Sequence, residues 1–203
     1  FIRDLKDSGI PTVTLVTNAE LLNEKKSTEL LSSGLDELMI SIDGYSEAVY
    51  GKLRTGLNFE TVIDNTMSFL KLRNNMNSDL SVRIRMVVVD ENREEVESYL
   101  EFWNSKVSDR DRVQALPAHS WGNELFIESK ESIEKMKPKP CIAPFNMFTI
   151  HYDGEVSMCG HDYKHNHVMG NLNNNTITEI WKGERFAEIR EKHLTPGRRD
   201  EIE

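Results

Sequence analysis

Apolar positions along the chain follow two alternating periods, short β-branched runs and longer stretches at helical spacing. The opening FIRDLKDSGIP sets Phe1, Ile2 and Leu5 on one side of a helix that stops at Gly9 and Pro11, because glycine accepts the left-handed closing conformation and proline cannot continue the helix. Residues 12–17, TVTLVT, form a β-branched run that predicts a buried strand. Leu21, Leu22, Leu30 and Leu31 then recur at helical spacing up to Gly34, and ELMISI at 37–42 predicts a second strand. After Asp43 and Gly44 a short helix is expected at 46–53. Arg54-Thr55-Gly56 interrupts the chain, and Asn58 caps a longer helix carrying Val62, Met67, Phe69, Leu70 and Leu72.

Residues 82–89 alternate and then become wholly apolar, as a third strand entering a core does. Asn92 and Glu95 have the spacing of a capping box for a helix with Val96, Tyr99, Leu100 and Trp103. A fourth strand at 112–117 runs into the small-residue loop AHSWGN. Strands alternating with helices of this length give a parallel sheet with right-handed crossovers, open or part of a barrel, and both arrangements bind ligands at the carboxyl ends of the strands. From 124 to 140 the chain turns charged and closes on two prolines, so the domain boundary falls there, giving residues 1–135 and 136–203. Beyond it, 145–151 and 155–158 predict a hairpin through Tyr152-Asp153-Gly154, since Asp-Gly is a favoured hairpin turn. Residues 171–175 read as a polar loop. One helix is expected at 176–193, burying Ile177, Ile180, Trp181, Phe186 and Ile189.

Composition narrows the functional classes. With 38% hydrophobic and 29% charged residues, the 203-residue chain matches a folded protein with one core and an appendage. The formal net charge is −9 and its basic residues are scattered, which argues against nucleic acid or an anionic membrane surface as partner. Because no apolar run approaches the roughly 20 residues of a membrane span, and no secretory segment is present, the default expectation is a cytoplasmic protein. Two cysteines are too few for a disulfide framework; such thiols are metal-binding, catalytic or simply buried.

Two sets of residues could carry chemistry. Thr17-Asn18, Ser41 to Gly44 and Leu116-Pro117 close three strands at one rim, and Arg54 follows a short helix later. A serine hydroxyl and a guanidinium together suit a carboxylate, although on spacing alone Asp43 as a helix cap and Arg54 as a surface charge is the simpler reading. Cys141 and Cys159 flank the hairpin. Thiolates select iron–sulfur clusters or zinc, and a closed site of either kind needs four ligands. His161, His165 and His167 could complete a zinc site; the alternative is two buried cysteines and three solvated histidines.

The ordered set TNA, MISIDG with a downstream LRTG, MVVVDEN, QALPAHSWGN, C-x12-G-x4-C, GNL and TITEIW resembles a radical S-adenosylmethionine (radical SAM) enzyme with a C-terminal SPASM domain. The resemblance implies an α/β fold: a partial (β/α)6 barrel, the C-terminal part of a radical SAM core, followed by a small α+β SPASM-type domain with a β-hairpin. It implies S-adenosylmethionine as cofactor, with Ser41 and Arg54 on its methionyl carboxylate, Thr17 and Asn18 nearby and Leu116 against the adenine. It further implies Cys141 and Cys159 as ligands of an auxiliary 4Fe-4S cluster. The implied activity is reductive cleavage of the cofactor and hydrogen abstraction from a peptide, protein or small-metabolite substrate, with a reducing electron donor as partner. The family's CxxxCxxC motif for the catalytic 4Fe-4S cluster and its glycine-rich GGEP strand end are absent and would precede Phe1, while the remaining SPASM cysteines would follow Glu203. On this resemblance the chain is expected to be an interior fragment, inactive alone. The competing expectation is a zinc-stabilised binding or scaffold protein using Cys141, Cys159 and the loop histidines.

Overall fold

The alternation of strands and helices assembles a parallel sheet whose four strands lie in chain order. In the computed structural model, which describes residues 1–119, 141–195 and 197–198, the chain divides into two compact units, Phe1–Ala118 and His119–Glu203. The boundary expected after residue 135 lies outside the described residues.

In the first unit, strands β1 (Thr14–Thr17), β2 (Glu37–Ser41), β3 (Ser81–Val88) and β4 (Arg112–Pro117) pair in the order β1-β2-β3-β4, all parallel. Helices α1 (Ile2–Asp7), α2 (Glu24–Leu31), α3 (Glu47–Leu53), α4 (Phe59–Asn75) and α5 (Val96–Asn104), with a 3-10 helix at Asp90–Glu95, supply the connections. Strand side chains point alternately to the two faces. On one face Leu38, Ile40, Val82, Ile84 and Met86 pack with Val62, Phe69, Tyr99 and Trp103 of the helices, all almost fully buried. Each such aliphatic side chain contributes about 1.5–3 kcal/mol. The intervening residues, among them Ser41, Arg85 and Gln114, belong to the opposite face.

Several expectations are corrected. β1 is half-buried rather than buried, with Val16 56% exposed, because it lies at the sheet edge and only one of its faces meets the core. α2 begins after Asn23, whose side chain accepts the Lys26 amide at 3.0 Å; Leu21 is exposed and Leu22 is buried ahead of the helix. Asn92 and Glu95 form no capping box for α5, since both side chains are turned toward the loop after β2.

Carboxylates hold the amino ends of the strands. Asp36 accepts the Val13 amide and Lys6. Asp111 accepts the Val82 amide at 2.8 Å and both terminal nitrogens of Arg73, at 2.5 and 2.9 Å, with both side chains almost wholly enclosed.

The second unit holds an antiparallel sheet of β5 (Thr149–Ile150), β6 (Glu155–Ser157) and β7 (Val168–Asn171), with α6 (Ala143–Asn146), α7 (Ile177–Lys182) and α8 (Glu184–Leu194). The Asp153-Gly154 turn is present, with Gly154 at a φ of +86°. Its first strand is shorter than expected, because Phe145 and Asn146 close α6 behind Pro144. β7 was not expected: Gly170 lets the strand lie close to α7, where an added Cβ would sit 2.8 Å from Ile180. The single helix expected at 176–193 is two, broken at the extended Gly183, and Ile177 is exposed. Val156, Met169, Ile180, Phe186 and Ile189 form this unit's core. Among the described residues no helix is long and apolar enough to cross a membrane.

Candidate functional site

At the carboxyl end of β2 the chain must turn sharply into α3, and glycine makes this possible. A Cβ on Gly44 would stand 2.7 Å from the Tyr50 backbone nitrogen, so a side chain there would collide with α3. Ser46 caps α3 by accepting the Val49 amide. Asp43, read from spacing as a cap, has another role. Its Oδ1 accepts the Val87 amide at 2.7 Å, and its Oδ2 receives Arg54 Nε at 2.7 Å and Nη2 at 2.5 Å. Arg54 is therefore no free surface charge: it is a half-buried cation aligned by Asp43, with one edge of its guanidinium engaged. Charge-assisted pairs of this kind are about twice as strong as neutral hydrogen bonds.

The 3-10 helix braces this turn. Asn92, fully buried, donates from Nδ2 to the carbonyls of Asp43 and Val87 and accepts the Val89 amide at Oδ1. Glu95 accepts the amides of Tyr45 and Ser46 and the Ser46 hydroxyl. The loops after β2 and β3 are thus tied by polar side chains that helix-spacing rules assign elsewhere.

The expected residues divide between the site and its frame. Ser41 ends β2, 6% exposed, in register with Arg85 of β3, and Arg85 is in register with Gln114 of β4. Ser41, Arg85 and Gln114 form one polar row across three strands. Thr17 and Asn18 shape the turn after β1: Thr17 Oγ1 accepts the Ala19 amide and Asn18 Oδ1 the Glu20 amide, with Ala19 at a φ of +63°. Leu116 is 41% exposed on β4, available to an apolar ligand surface. Sequence reasoning missed Asp43 as a partner of Arg54, and Arg85 and Gln114 as members of the row. The signal for Arg85 was present, because in VRIRM each arginine alternates with core residues and must face away from them.

Beneath the rim, burial pushes the phenol groups of Tyr50 and Tyr99 up from their ordinary value, and both hydroxyls are enclosed with no hydrogen-bond partner among the described residues.

In the second unit both cysteines are free, Cys159 buried just beyond β6 and Cys141 partly exposed just before α6. Ser157 Oγ donates to the Cys159 carbonyl at 3.1 Å and lies 2.9 Å from His151 Nε2, fixing the backbone beside that thiol. The Cys141 side is fixed by Arg190 of α8, which donates from Nε to the Pro144 carbonyl and from Nη1 to that of Trp181. Its guanidinium stacks 4.1 Å from the Trp181 ring centroid, and burial lowers its pKa. Among the described residues the histidines are not grouped with both cysteines. His165, at a φ of +59°, places Nδ1 2.7 Å from Glu155 and its ring 3.6 Å from that of His151. Among the described residues, the group of three possible metal ligands is Asp153, Glu155 and His165, without either cysteine. Soft thiolates suit an iron–sulfur cluster or a thiolate-rich zinc site.

Residues 141–201 match the SPASM family, an iron–sulfur cluster-binding domain. A solved structure of hexahistidine-tagged anSMEcpe with bound AdoMet shares the fold at a TM-score of 0.61 and 16% identity, over 90% of this chain and 57% of that one. Native anSMEcpe with bound AdoMet and Kp18Cys peptide gives a TM-score of 0.60 and 16% identity, over 91% of this chain and 60% of that one. The chain thus spans about three-fifths of the length of these structures. No curated protein matches it. The domain match and the shared fold agree with the radical SAM/SPASM resemblance of the sequence.

Proposed function

We propose that the chain is part of a radical SAM/SPASM oxidoreductase, its first unit contributing to a partial (β/α)6 barrel and its second to an auxiliary-cluster domain. The observations that carry this reading are that both free thiols fall inside the SPASM match and that the other unit has parallel strands ending in a polar rim.

Ser41 and Arg54 hold the methionyl carboxylate of S-adenosylmethionine in this reading. The exposed part of the Arg54 guanidinium takes the carboxylate while Asp43 keeps the other edge fixed. Thr17 and Asn18 shape the adjoining wall, and Leu116 gives the adenine an apolar surface. When bound, the cofactor would supply hydrogen-abstracting chemistry: one electron from a reducing donor would cleave its sulfonium C–S bond, releasing methionine and leaving a carbon radical. Cys141 and Cys159 supply two thiolates to a 4Fe-4S cluster. A peptide substrate is favoured over a small metabolite by the peptide in the anSMEcpe complex.

Anaerobic reconstitution of the whole enzyme to which the chain belongs, with iron and sulfide, tests the reading. The expected product is a brown protein with iron–sulfur charge-transfer absorption, of which the auxiliary-cluster part, with its iron and sulfide, is lost when Cys141 and Cys159 are both changed to Ala. Stoichiometric zinc with no iron would overturn it.

A further inference from the structure

Arg85 is a cation near the rim whose Nε is left without a partner among the described residues. It stands between Ile84 and Met86, both 0% exposed on the helix-packed face, so its side chain belongs to the opposite face with Ser41 and Gln114 on either side. Its Nε is shielded from solvent and has no hydrogen-bond partner among the described residues, and no carboxylate there pairs with its guanidinium. Two other arginines of this unit differ: Arg83 of β3 is paired with Glu37 at 2.7 Å, and Arg54 at the end of α3 with Asp43. Among the described residues Asp43 makes no pair with Arg85; its oxygens receive the Val87 amide and Arg54. A shielded guanidinium donor with no acceptor is costly unless a ligand supplies the acceptor, and a carboxylate matches the guanidinium fork.

We propose that Arg85 is a specificity-determining residue that binds a carboxylate of the substrate, with the Gln114 amide as neutral donor beside it. The proposal rests on the assignment of Ser41 and Arg54 to the cofactor's carboxylate, which leaves Arg85 for a second anion. It narrows the substrate to molecules with a carboxylate near the reacting carbon, such as a peptide with an acidic side chain. The shared chemistry is carboxylate recognition; its two possible sources are substrate and cofactor, and the test separates them.

Succinate serves as the carboxylate probe, succinamide as its uncharged counterpart, and S-adenosylmethionine as the cofactor. The Nε–H resonance of Arg85 in the 15N-labelled protein is followed during each titration. Succinate should shift it saturably and succinamide should not. Arg85→Gln should weaken succinate by about tenfold or more, the scale of one charge-assisted hydrogen bond, and leave cofactor affinity within about twofold. Arg54→Gln should do the reverse. Equal response to both probes, or succinate binding unchanged in Arg85→Gln, would overturn the proposal. So would a loss of cofactor affinity in Arg85→Gln matching that in Arg54→Gln, which would give Arg85 to the cofactor. If Arg85→Gln does not fold, the response of the unsubstituted protein to the two probes decides. Saturable succinate binding at Arg85 with no cofactor binding in any variant would sink the functional reading above and leave carboxylate recognition standing.

Discussion

Asp43 Oδ2 receives both Nε and Nη2 of Arg54, while its Oδ1 receives the Val87 amide, so one carboxylate joins the ends of β2, α3 and β3. The orientation of Arg54 therefore belongs to the sheet and not to a flexible surface side chain. Arg54→Ala should weaken S-adenosylmethionine by about 10- to 100-fold, the range for losing a charge-assisted pair. Isothermal titration of the reconstituted protein measures this, and unchanged affinity would remove Arg54 from the site.

Gly44 and Gly51 make a matched pair, one crowded and one open. Gly44→Ala drives a Cβ into the α3 backbone and should cost about 1–3 kcal/mol, the usual penalty for overpacking. Gly51, inside α3, has nothing within 4 Å of an added Cβ, so Gly51→Ala should stabilise by about 0.5–1 kcal/mol. Urea midpoints should move in opposite directions, and a fall in both would count against the geometry of the turn.

Acid should weaken the first unit through Asp111. Burial raises its pKa, but Arg73, Ser108 and the Val82 amide outweigh that, and the carboxyl is held below its ordinary value. The folded protein therefore binds this proton less readily than the unfolded chain. The contribution is fully present above the unfolded value near ~3.9 and is lost as pH falls through the lower folded value. Stability measured from pH 6 downward should drop more steeply in the unsubstituted protein than in Asp111→Asn; equal slopes would show that Asp111 does not titrate in this way. At neutral pH, Arg73→Ala should cost about 3–5 kcal/mol, because it strands a buried carboxylate.

Arg190 connects α8 to the segment that follows Cys141. Arg190→Ala removes two hydrogen bonds to carbonyls and the stacking on Trp181, an expected loss of about 2–3 kcal/mol. In the reconstituted protein it should also reduce retained iron without touching a thiol. Arg190→Lys should recover little, since an ammonium cannot span both carbonyls while stacking flat on the ring. Full iron content in Arg190→Ala would show that the Cys141 segment holds its place without this anchor.

The sheet was legible in the sequence because its strands carry a strong signal: Leu38, Ile40, Val82, Ile84 and Met86 occupy one face of two β-branched runs and are all buried. The Asn58 cap was equally readable, being local in sequence. Long-range use of polar side chains was not. Asn92 and Glu95 have capping-box spacing, yet reach back to residues 43–46, and spacing along one segment carries no information about another. β7 was missed for a related reason. VMGN has little strand character of its own, and it pairs because Gly170 admits Ile180. At the candidate site, Ser41 and Arg54 followed from chemistry and resemblance, whereas Asp43 and Arg85 needed the register between strands.

The strand order has a consequence for how the first unit forms. β2 pairs with β1, β3 with β2 and β4 with β3, so every new strand meets a partner already made. Each connection closes one modest loop, and no strand waits for a distant segment, a topology that lowers the entropic barrier to folding. The sheet can therefore grow in the direction of translation, one strand and helix at a time. Asp111, at the start of β4, then closes onto Arg73 and the Val82 amide as the last strand arrives, and latches the growing sheet.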